Sequence, residues 1–405
     1  MRLTHLGLTN FRTYRRLDLT LTPGVTLLVG DNAQGKTALL EAIYYLATSR
    51  SPRTSTDREL VNWGAADEPL PFARVAGEIQ RHDRGVHVEI VVVEPPGSGR
   101  PLEKRVKIDG VARRALDLLG QVNVVFFSPD DIELVSDGPA VRRHYLDATL
   151  CQIDPRYCHA LGQYRRVLAQ RNHLLHVIQE GRGRRDELGF WDDLLIEHGS
   201  VITARRYALL RRLETWGTLI YGDLTGGQDA LRVNYRPSAL VSQSDRPTER
   251  GAVEAAQALL GQESLTAADV AAVFRERLAA RAAAEIARGA TLVGPHRDDF
   301  QLLGGEIDLH IYGSRGQQRT AALALKLGEI EAMHEATQER PVLLLDDVMS
   351  ELDAPRRAYV AGRVAQYEQT LATATDWSDF SPPLQAQATC LVVRGGTVSP
   401  RRSDG

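Results

Sequence analysis

The sequence predicts an α/β fold, a mixed sheet with helices, interrupted by a helical second lobe that carries a short antiparallel helical hairpin. Three observations predict it. A glycine-rich segment, Gly30-Asp31-Asn32-Ala33-Gln34-Gly35-Lys36-Thr37, fits the phosphate-loop pattern and lies between an apolar strand and a helix. An apolar run from Val342 to Leu345 ends in the paired carboxylates Asp346 and Asp347. From about Pro139 the intervening chain changes to long stretches of helical spacing. The glycine-rich loop and the acidic strand end need each other chemically, so one interrupted head explains the order better than three separate domains. We therefore expect residues 1–135 and 291–405 to build the head and residues 136–290 to form the inserted lobe.

The elements follow in order. Leu3, Leu6 and Leu8, then Leu17, Leu19 and Leu21, alternate with polar residues and lead into the buried strand Val25–Val29. After the loop, Leu39, Leu40, Ile43, Tyr44 and Leu46 recur at helical spacing. Val75–Ile79 and Val86–Val92 flank the turn-like Arg81–Gly85 and read as an antiparallel hairpin, and Val122–Phe127 reads as a buried strand. Leu161, Tyr164, Leu168, Leu175 and Ile178 mark one helix, and Trp191, Leu195, Ile202, Leu209, Trp216 and Ile220 a second, with Gly181–Arg185 turning between them. Residues Pro237–Gly251 form a loop, and Thr266 caps a helix reaching Arg288. The last third alternates over Phe300–Leu303 and Ile307–Ile311 around Gly304-Gly305, enters a helix from about Gln318, and reaches the Val342 strand.

Composition narrows the class. A chain of 405 residues, 43% hydrophobic and 25% charged, can bury a sizeable core. No stretch approaches the roughly 18 consecutive apolar residues of a spanning helix, and Met1–Arg16 is charged where a secretion signal needs an apolar core. Cys151, Cys158 and Cys390 lack metal-ligand spacing, so we expect a reducing, cytoplasmic setting with neither disulfide nor zinc. The net charge of −3 argues against attraction of the whole surface to nucleic acid but leaves room for a local basic face. Lys36, Lys104, Lys107 and Lys326 are the only lysines among 49 basic residues, which makes a lysine at the end of a phosphate loop more telling.

The chemistry expected of these residues is phosphate binding. Backbone N–H groups of Gly30–Thr37 and the start of the following helix face a common anion, Lys36 reaches the outer phosphates, and Thr37 can ligate Mg2+. Asp346 would hold the metal through its water shell. Asp347 is the candidate general base or water-orienting group opposite a γ-phosphate. Between the two motifs, Ser314-Arg315-Gly316-Gln317-Gln318 opens a helix with small, polar residues, a second place where phosphate can be received. A chain that already holds a phosphate loop makes most sense of this second site if it addresses nucleotide held by another subunit.

Phosphate loop, Ser314–Gln318 segment, acidic strand and the following Ser350-Glu351-Leu352-Asp353 resemble, in this order, the ATPase heads of the ATP-binding-cassette type. Ser314–Gln318 takes the place of the signature, and Ser350 and Asp353 that of the D-loop. More narrowly, the chain resembles the RecF-like recombination mediators through Leu8–Arg12, Phe127–Asp131, Gly138-Pro139 with Arg142-Arg143, Gly294–Asp299 and Gly316–Arg319. The resemblance implies an ATP- and Mg2+-dependent homodimer with two nucleotides sandwiched between the phosphate loop of one subunit and the signature of the other. It implies slow, DNA-stimulated hydrolysis that opens the dimer. It also implies binding to double-stranded and gapped DNA, action with RecO and RecR to load RecA, and a place in DNA replication, repair and the SOS response. Where transporters carry a switch histidine this chain has Thr373-Ala374-Thr375, and Thr375 is carried over as the switch residue. The tail beyond Asp376 matches the family least.

Arginines cluster in the insertion, and Arg142, Arg143, Arg184 and Arg185 are the candidate DNA contacts, with a solvated face balanced by neighbouring acids as the alternative. His296 and Arg297, and likewise Asn10 and Arg12, stand either near nucleotide or in purely structural roles. Two other functions use similar parts. A transporter ATPase subunit would need to grip membrane-embedded helices, and a chromosome-maintenance ATPase head of the SMC type would need long arms, where this chain has only a short hairpin.

Overall fold

The computed structural model describes residues 1–65, 71–93, 102–227, 229–241, 256 and 258–401. The chain forms two compact units, Met1–Asp131 with Glu329–Gly405, and Ile132–Gly328. The boundary expected at residue 290 therefore falls at 328. The reason lies in strand pairing. Strand β9 (Leu231–Arg236), inside the expected insertion, pairs along its whole length with β10 (Asp299–Gly304), which draws that strand and the chain after it into the second unit.

In the first unit, β1 (Arg2–Phe11), β2 (Tyr14–Thr20), β4 (Phe72–Gln80), β5 (Gly85–Val93), β6 (Glu103–Ile108) and β7 (Val111–Arg113) form a sheet in the order β2-β1-β4-β5-β6-β7. All its pairings are antiparallel, and the hairpin expected around Arg81–Gly85 is the β4/β5 ladder. A second sheet joins β15 (Thr397–Pro400), β14 (Thr389–Arg394), β3 (Gly24–Val29), β13 (Gln369–Ala374), β12 (Val342–Asp346) and β8 (Val124–Phe127), parallel except at the β14/β15 edge. The alternation in β1 and β4 gives one apolar face, whereas β12 and β13 are buried throughout. Helix Lys36–Thr48 lies between the sheets, contacting strands of both, and its Leu39, Leu40, Ile43 and Leu46 share a core with Leu6, Val75, Val88, Leu344 and Leu371.

A helix covered on both sides has no solvent face for a charge, yet Glu41 lies within it at 0% exposure. Arg12 satisfies the carboxylate with two bonds, Nε at 2.9 Å and Nη2 at 2.7 Å, and Ser51 Oγ donates a third. Arg12 takes a left-handed backbone conformation, φ 52°, at the β1/β2 turn, and also donates to the Glu59 carbonyl. Asn10 accepts the Asn62 amide through its carbonyl. Both residues are thus structural.

The second unit contains the expected hairpin, Pro155–Gln179 and Leu188–Thr225, with helix Ala267–Arg288 against the second arm. Thr266 caps that last helix in a capping box with Asp269. Its three-stranded sheet runs β11-β10-β9, where β11 is only Ile307–Asp308. The strand expected through Ile311 stops because Asp308 Oδ1 accepts the His310 amide at 2.9 Å, an Asx turn that bends the chain away. The loop expected over Pro237–Gly251 lies outside the described residues after Val241.

His296 and Arg297 both serve the turn before β10. Tyr164 Oη and His296 Nδ1 are 2.6 Å apart and His296 Nε2 lies 3.1 Å from the Thr291 carbonyl, so the neutral imidazole accepts from the tyrosine and donates to the carbonyl. Arg297 Nη2 donates to the same carbonyl at 3.4 Å. Burial, aided by Arg297, Arg143 and Arg171 and opposed by the Thr291 bond, lowers the imidazole from 6.5 to about 4.

Two expectations follow. Arg12→Ala strands a buried carboxylate and should cost about 3–5 kcal/mol in urea denaturation; the double variant Arg12→Ala, Glu41→Gln should recover part of that, and an unchanged midpoint for the single variant would refute the role of the pair. Because the unfolded His296 takes up its proton near 6.5 and the folded one near 4, its contribution is intact above pH 6.5 and is lost as the pH falls through that window. Between pH 6.5 and 5 the parent should lose about 1.5 kcal/mol more than His296→Gln; equal losses would show that the imidazole is not held neutral.

Candidate nucleotide site

Three neighbouring parallel strands end together at the site. β13 lies between β3 and β12, and the register aligns Leu28 with Thr373 and Thr373 with Asp346, so the phosphate loop after β3 and the acids closing β12 share one carboxyl edge. The loop is packed tightly from behind. A Cβ on Gly30 would stand 2.2 Å from the Val393 carbonyl oxygen, so no other residue fits without moving β14. Tyr14, fully buried, donates its hydroxyl to the Gly35 carbonyl at 2.9 Å. Asp31, Asn32 and Ala33 are exposed at the rim, whereas Gly35 and Lys36 are buried.

Lys36 Nζ donates to the Gly30 carbonyl and, at 3.0 Å, to the Asp31 carbonyl, which curls its ammonium over the loop where an anion would be gripped. Burial lowers its pKa, opposed by Asp347, Asp346 and Asp31. Thr37 Oγ1 donates to Asp346 Oδ1 at 2.9 Å, and Thr373 Oγ1 donates to the same oxygen at 2.8 Å. Burial raises the pKa of Asp346, while these two hydroxyls oppose the shift. The Asp347 amide donates to Thr373 Oγ1 at 2.9 Å, and Ser350 Oγ donates to the Asp347 carbonyl at 2.8 Å. Asp347 itself is left-handed, φ 54°, a conformation that aspartate tolerates better than most residues, and its Oδ1 lies 3.3 Å from Ser350 Oγ.

The oxygens suit Mg2+. Thr37 Oγ1 gives its hydrogen to Asp346 Oδ1 at 2.9 Å, which leaves its lone pairs for a directly bound ion and sets the carboxylate behind it, suited to the ion's water shell. One hydroxyl, with a carboxylate acting through water, leaves most of the coordination shell to phosphates and water, the usual division for this ion.

Two contributors escaped the sequence reading. Thr373, a polar residue inside a buried strand, carried no periodic signal. The tail beyond Asp376, given no role, supplies β14 and β15, and their turn docks on the phosphate loop: Gly395 N donates to Gln34 Oε1 at 2.7 Å and Gly396 N to the Gln34 carbonyl at 3.0 Å. The pair Gly395-Gly396, flanked by Arg394 and Thr397 with Val393 and Val398 beyond them, was the available hairpin signal.

The signature segment belongs to the second unit. Its helix, Arg315–Thr337, starts earlier than expected because Ser314 and Gln317 form a capping box: Gln317 Oε1 accepts the Ser314 amide at 2.9 Å and Ser314 Oγ accepts the Gln317 amide at 3.3 Å. The Ser314 hydroxyl hydrogen is left to point outward, and Ser314, Arg315 and Gly316 are exposed. Gln318 departs from expectation. It is buried and donates Nε2 to the Leu309 carbonyl at 2.8 Å, so it braces the turn from inside. In the segment expected to serve as D-loop, Ser350 is exposed, and Asp353 caps helix Ala354–Val364 by accepting the Arg356 amide at 3.0 Å. Thr375 is exposed just past the end of β13.

The arginines expected on DNA divide. Arg142 is buried, clamped to Asp299 at 2.6 and 3.1 Å and to the Asp137 carbonyl, so it is a core ion pair and no DNA contact. Arg143 is half-buried and donates to the Asp298 carbonyl at 2.8 Å. Arg184 is exposed at the hairpin turn but paired with Asp186 at 2.6 Å; Arg185 is exposed beside it.

The family described as RecF/RecN/SMC N terminal domain matches residues 2–378. A DNA replication and repair protein RecF from Chloroflexus aurantiacus is 45% identical over 97% of this chain and 98% of its own. The chain belongs to the RecF family. The RecF of Bacillus cytotoxicus is 37% identical over 98% of both chains. A solved structure of the recombination mediator protein RecF-ATP in the RecFOR pathway superposes with a TM-score of 0.80 at 33% identity, covering 99% of this chain and 97% of that one. An SMC head bound to the C-winged helix domain of ScpA, TM-score 0.52 at 15% identity over 100% of this chain and 98% of that one, shares the fold alone. RecF membership confirms the ATPase-head fold expected from the motifs. Among the described residues no helix is long and apolar enough to cross a membrane.

The docking of the tail on the loop is testable. Gly396 has φ 72°, and a Cβ there would stand 2.5 Å from the Thr13 carbonyl oxygen. Gly396→Ala should lower stability by about 1–3 kcal/mol in thermal or urea denaturation, through backbone strain and a displaced hairpin; a neutral result would show that the hairpin is not seated on the loop.

Proposed function

We propose that this chain is a DNA-repair ATPase in which ATP joins two copies, each nucleotide held by one copy's phosphate loop and closed over by the other's Ser314–Gly316 turn. The observation that carries the reading is the state of that turn. It is exposed, pre-shaped by its capping box, and leaves a hydroxyl hydrogen and helix N–H groups facing outward, in a chain that already has a complete phosphate loop. A second anion site on a separate unit has a purpose when it meets nucleotide on a partner copy. RecF relatives named for DNA replication and repair, and solved with ATP, support the same assignment.

In this mechanism Gly30–Thr37 cradles the β- and γ-phosphates with backbone amides, and Lys36 exchanges its loop carbonyls for phosphate oxygens. Thr37, directly, and Asp346, through water, would hold Mg2+, which supplies charge neutralisation across the phosphates. Asp347 orients the water opposite the γ-phosphate and accepts its proton as the water oxygen bonds to phosphorus and the bond to the β–γ bridging oxygen breaks, releasing ADP and phosphate. Ser314 donates to the γ-phosphate across the dimer, so loss of that phosphate removes the contact and opens the pair. Asp is one methylene shorter than Glu, so turnover is slow; DNA held across the paired copies stabilises the pairing and so stimulates it. The ATP-bound dimer grips duplex DNA at gaps and single-strand/double-strand junctions, and acts with RecR and RecO to load RecA.

Sedimentation with ATP, with and without gapped duplex, tests the scheme. The parent should pair and retain DNA; Lys36→Met should neither bind nucleotide nor pair; Asp347→Asn should stay paired on DNA with turnover reduced on the order of 100-fold. Ser314→Arg should bind ATP as a monomer. Pairing of Lys36→Met at the parent's affinity would sink the reading.

A further inference from the structure

The groups so far assigned to the reaction lie on the phosphate loop, at a helix start or at a strand end, whereas Thr373 is buried within a strand. It sits in β13, between the strand that launches the phosphate loop and the strand that carries the acids, with 0% exposure. A hydroxyl has one hydrogen and two lone pairs. Here the hydrogen goes to Asp346 Oδ1 at 2.8 Å, since among the described residues the other acceptor in reach, the Leu345 carbonyl, is farther at 3.4 Å and uncharged. One lone pair takes the Asp347 amide at 2.9 Å. The β12/β13 ladder ends at Asp346 and Thr373, so beyond it this side chain replaces the missing backbone partner of Asp347 and holds that residue in its left-handed conformation.

We infer that Thr373 is the positioning residue of the strand-end acids: a single hydroxyl fixes the carboxylate of Asp346 from one side and the backbone, hence the carboxylate direction, of Asp347 from the other. Thr375, two residues on and exposed past the strand end, makes neither bond. Without the hydroxyl Asp346 Oδ1 keeps only Thr37, the Asp347 amide has no partner at the strand end, and the left-handed turn is held from the Ser350 side alone. The carboxylate facing the water then swings away. The phosphate loop makes no bond to Thr373, so nucleotide binding is spared.

This inference rests on the ATPase reading above, and its test separates the two. Thr373→Val keeps the shape and removes the hydroxyl; Thr373→Ser keeps the hydroxyl and removes the methyl. Amide hydrogen exchange over residues 342–350, measured with neither nucleotide nor magnesium, should rise in the valine variant and match the parent in the serine variant. ATP turnover should fall on the order of 100-fold in Thr373→Val, as expected for an acid misplaced by about 1 Å, with the affinity for a fluorescent ATP analogue within about twofold of the parent. Thr373→Ser should restore turnover. Unchanged exchange in Thr373→Val, turnover near the parent's, or a serine variant as poor as the valine variant would each overturn the positioning role. A parent that hydrolyses no ATP would instead overturn the ATPase reading, and the exchange measurement would still judge Thr373.

Discussion

Asp346 Oδ1 accepts hydrogen bonds from two hydroxyls that lie far apart in the chain, Thr37 at the start of the first helix and Thr373 in the strand between. A buried carboxylate is costly without such partners. Meeting that requirement ties the phosphate-loop helix, β13 and β12 together at one point. The tie depends on β13 being inserted between β3 and β12: were the loop strand and the acid strand neighbours, no side chain could stand between them to reach both acids. The rest of the first unit, two sheets enclosing one helix, serves to hold this convergence rigid.

The same logic governs charge elsewhere. The chain is rich in arginine, and several of its arginines face inward. Arg12 on Glu41, Arg142 on Asp299, Arg171 on Glu285 and Arg206 on Asp147 and Asp298 are buried or half-buried ion pairs with several hydrogen bonds each. Desolvation makes such pairs poor sources of net stability, but breaking one is severe because the partner is left charged and dry. They specify which elements meet. An arginine count in the insertion therefore overstates its basic surface.

The elements most legible in the sequence were those with local causes. The alternation in β1 and β4, the helix cap at Thr266, the turn at Gly181–Arg185 and the phosphate-loop pattern are each set by near neighbours, and each appears where expected. Ser314 and Gln317 carried their capping box in the spacing itself, although the helix start was placed too late. What escaped was long-range. Thr373 matters through residues some distance away in the chain, the Gly395-Gly396 turn through Gln34 at the opposite end, and the boundary at 328 through the pairing of β9 with β10.

By itself, the sequence determined the chemistry on offer: a lysine-bearing anion loop, two acids closing a buried strand, a small polar helix start and two long arm helices. These follow from side-chain type and short-range spacing, which the chain carries locally. Only the tertiary structure decided which hydroxyl completes the acids, which arginines are spent in the core, and that Gln318 braces its turn from within. Those outcomes depend on strand order and burial, and both arise from pairings across the whole chain that no local pattern contains.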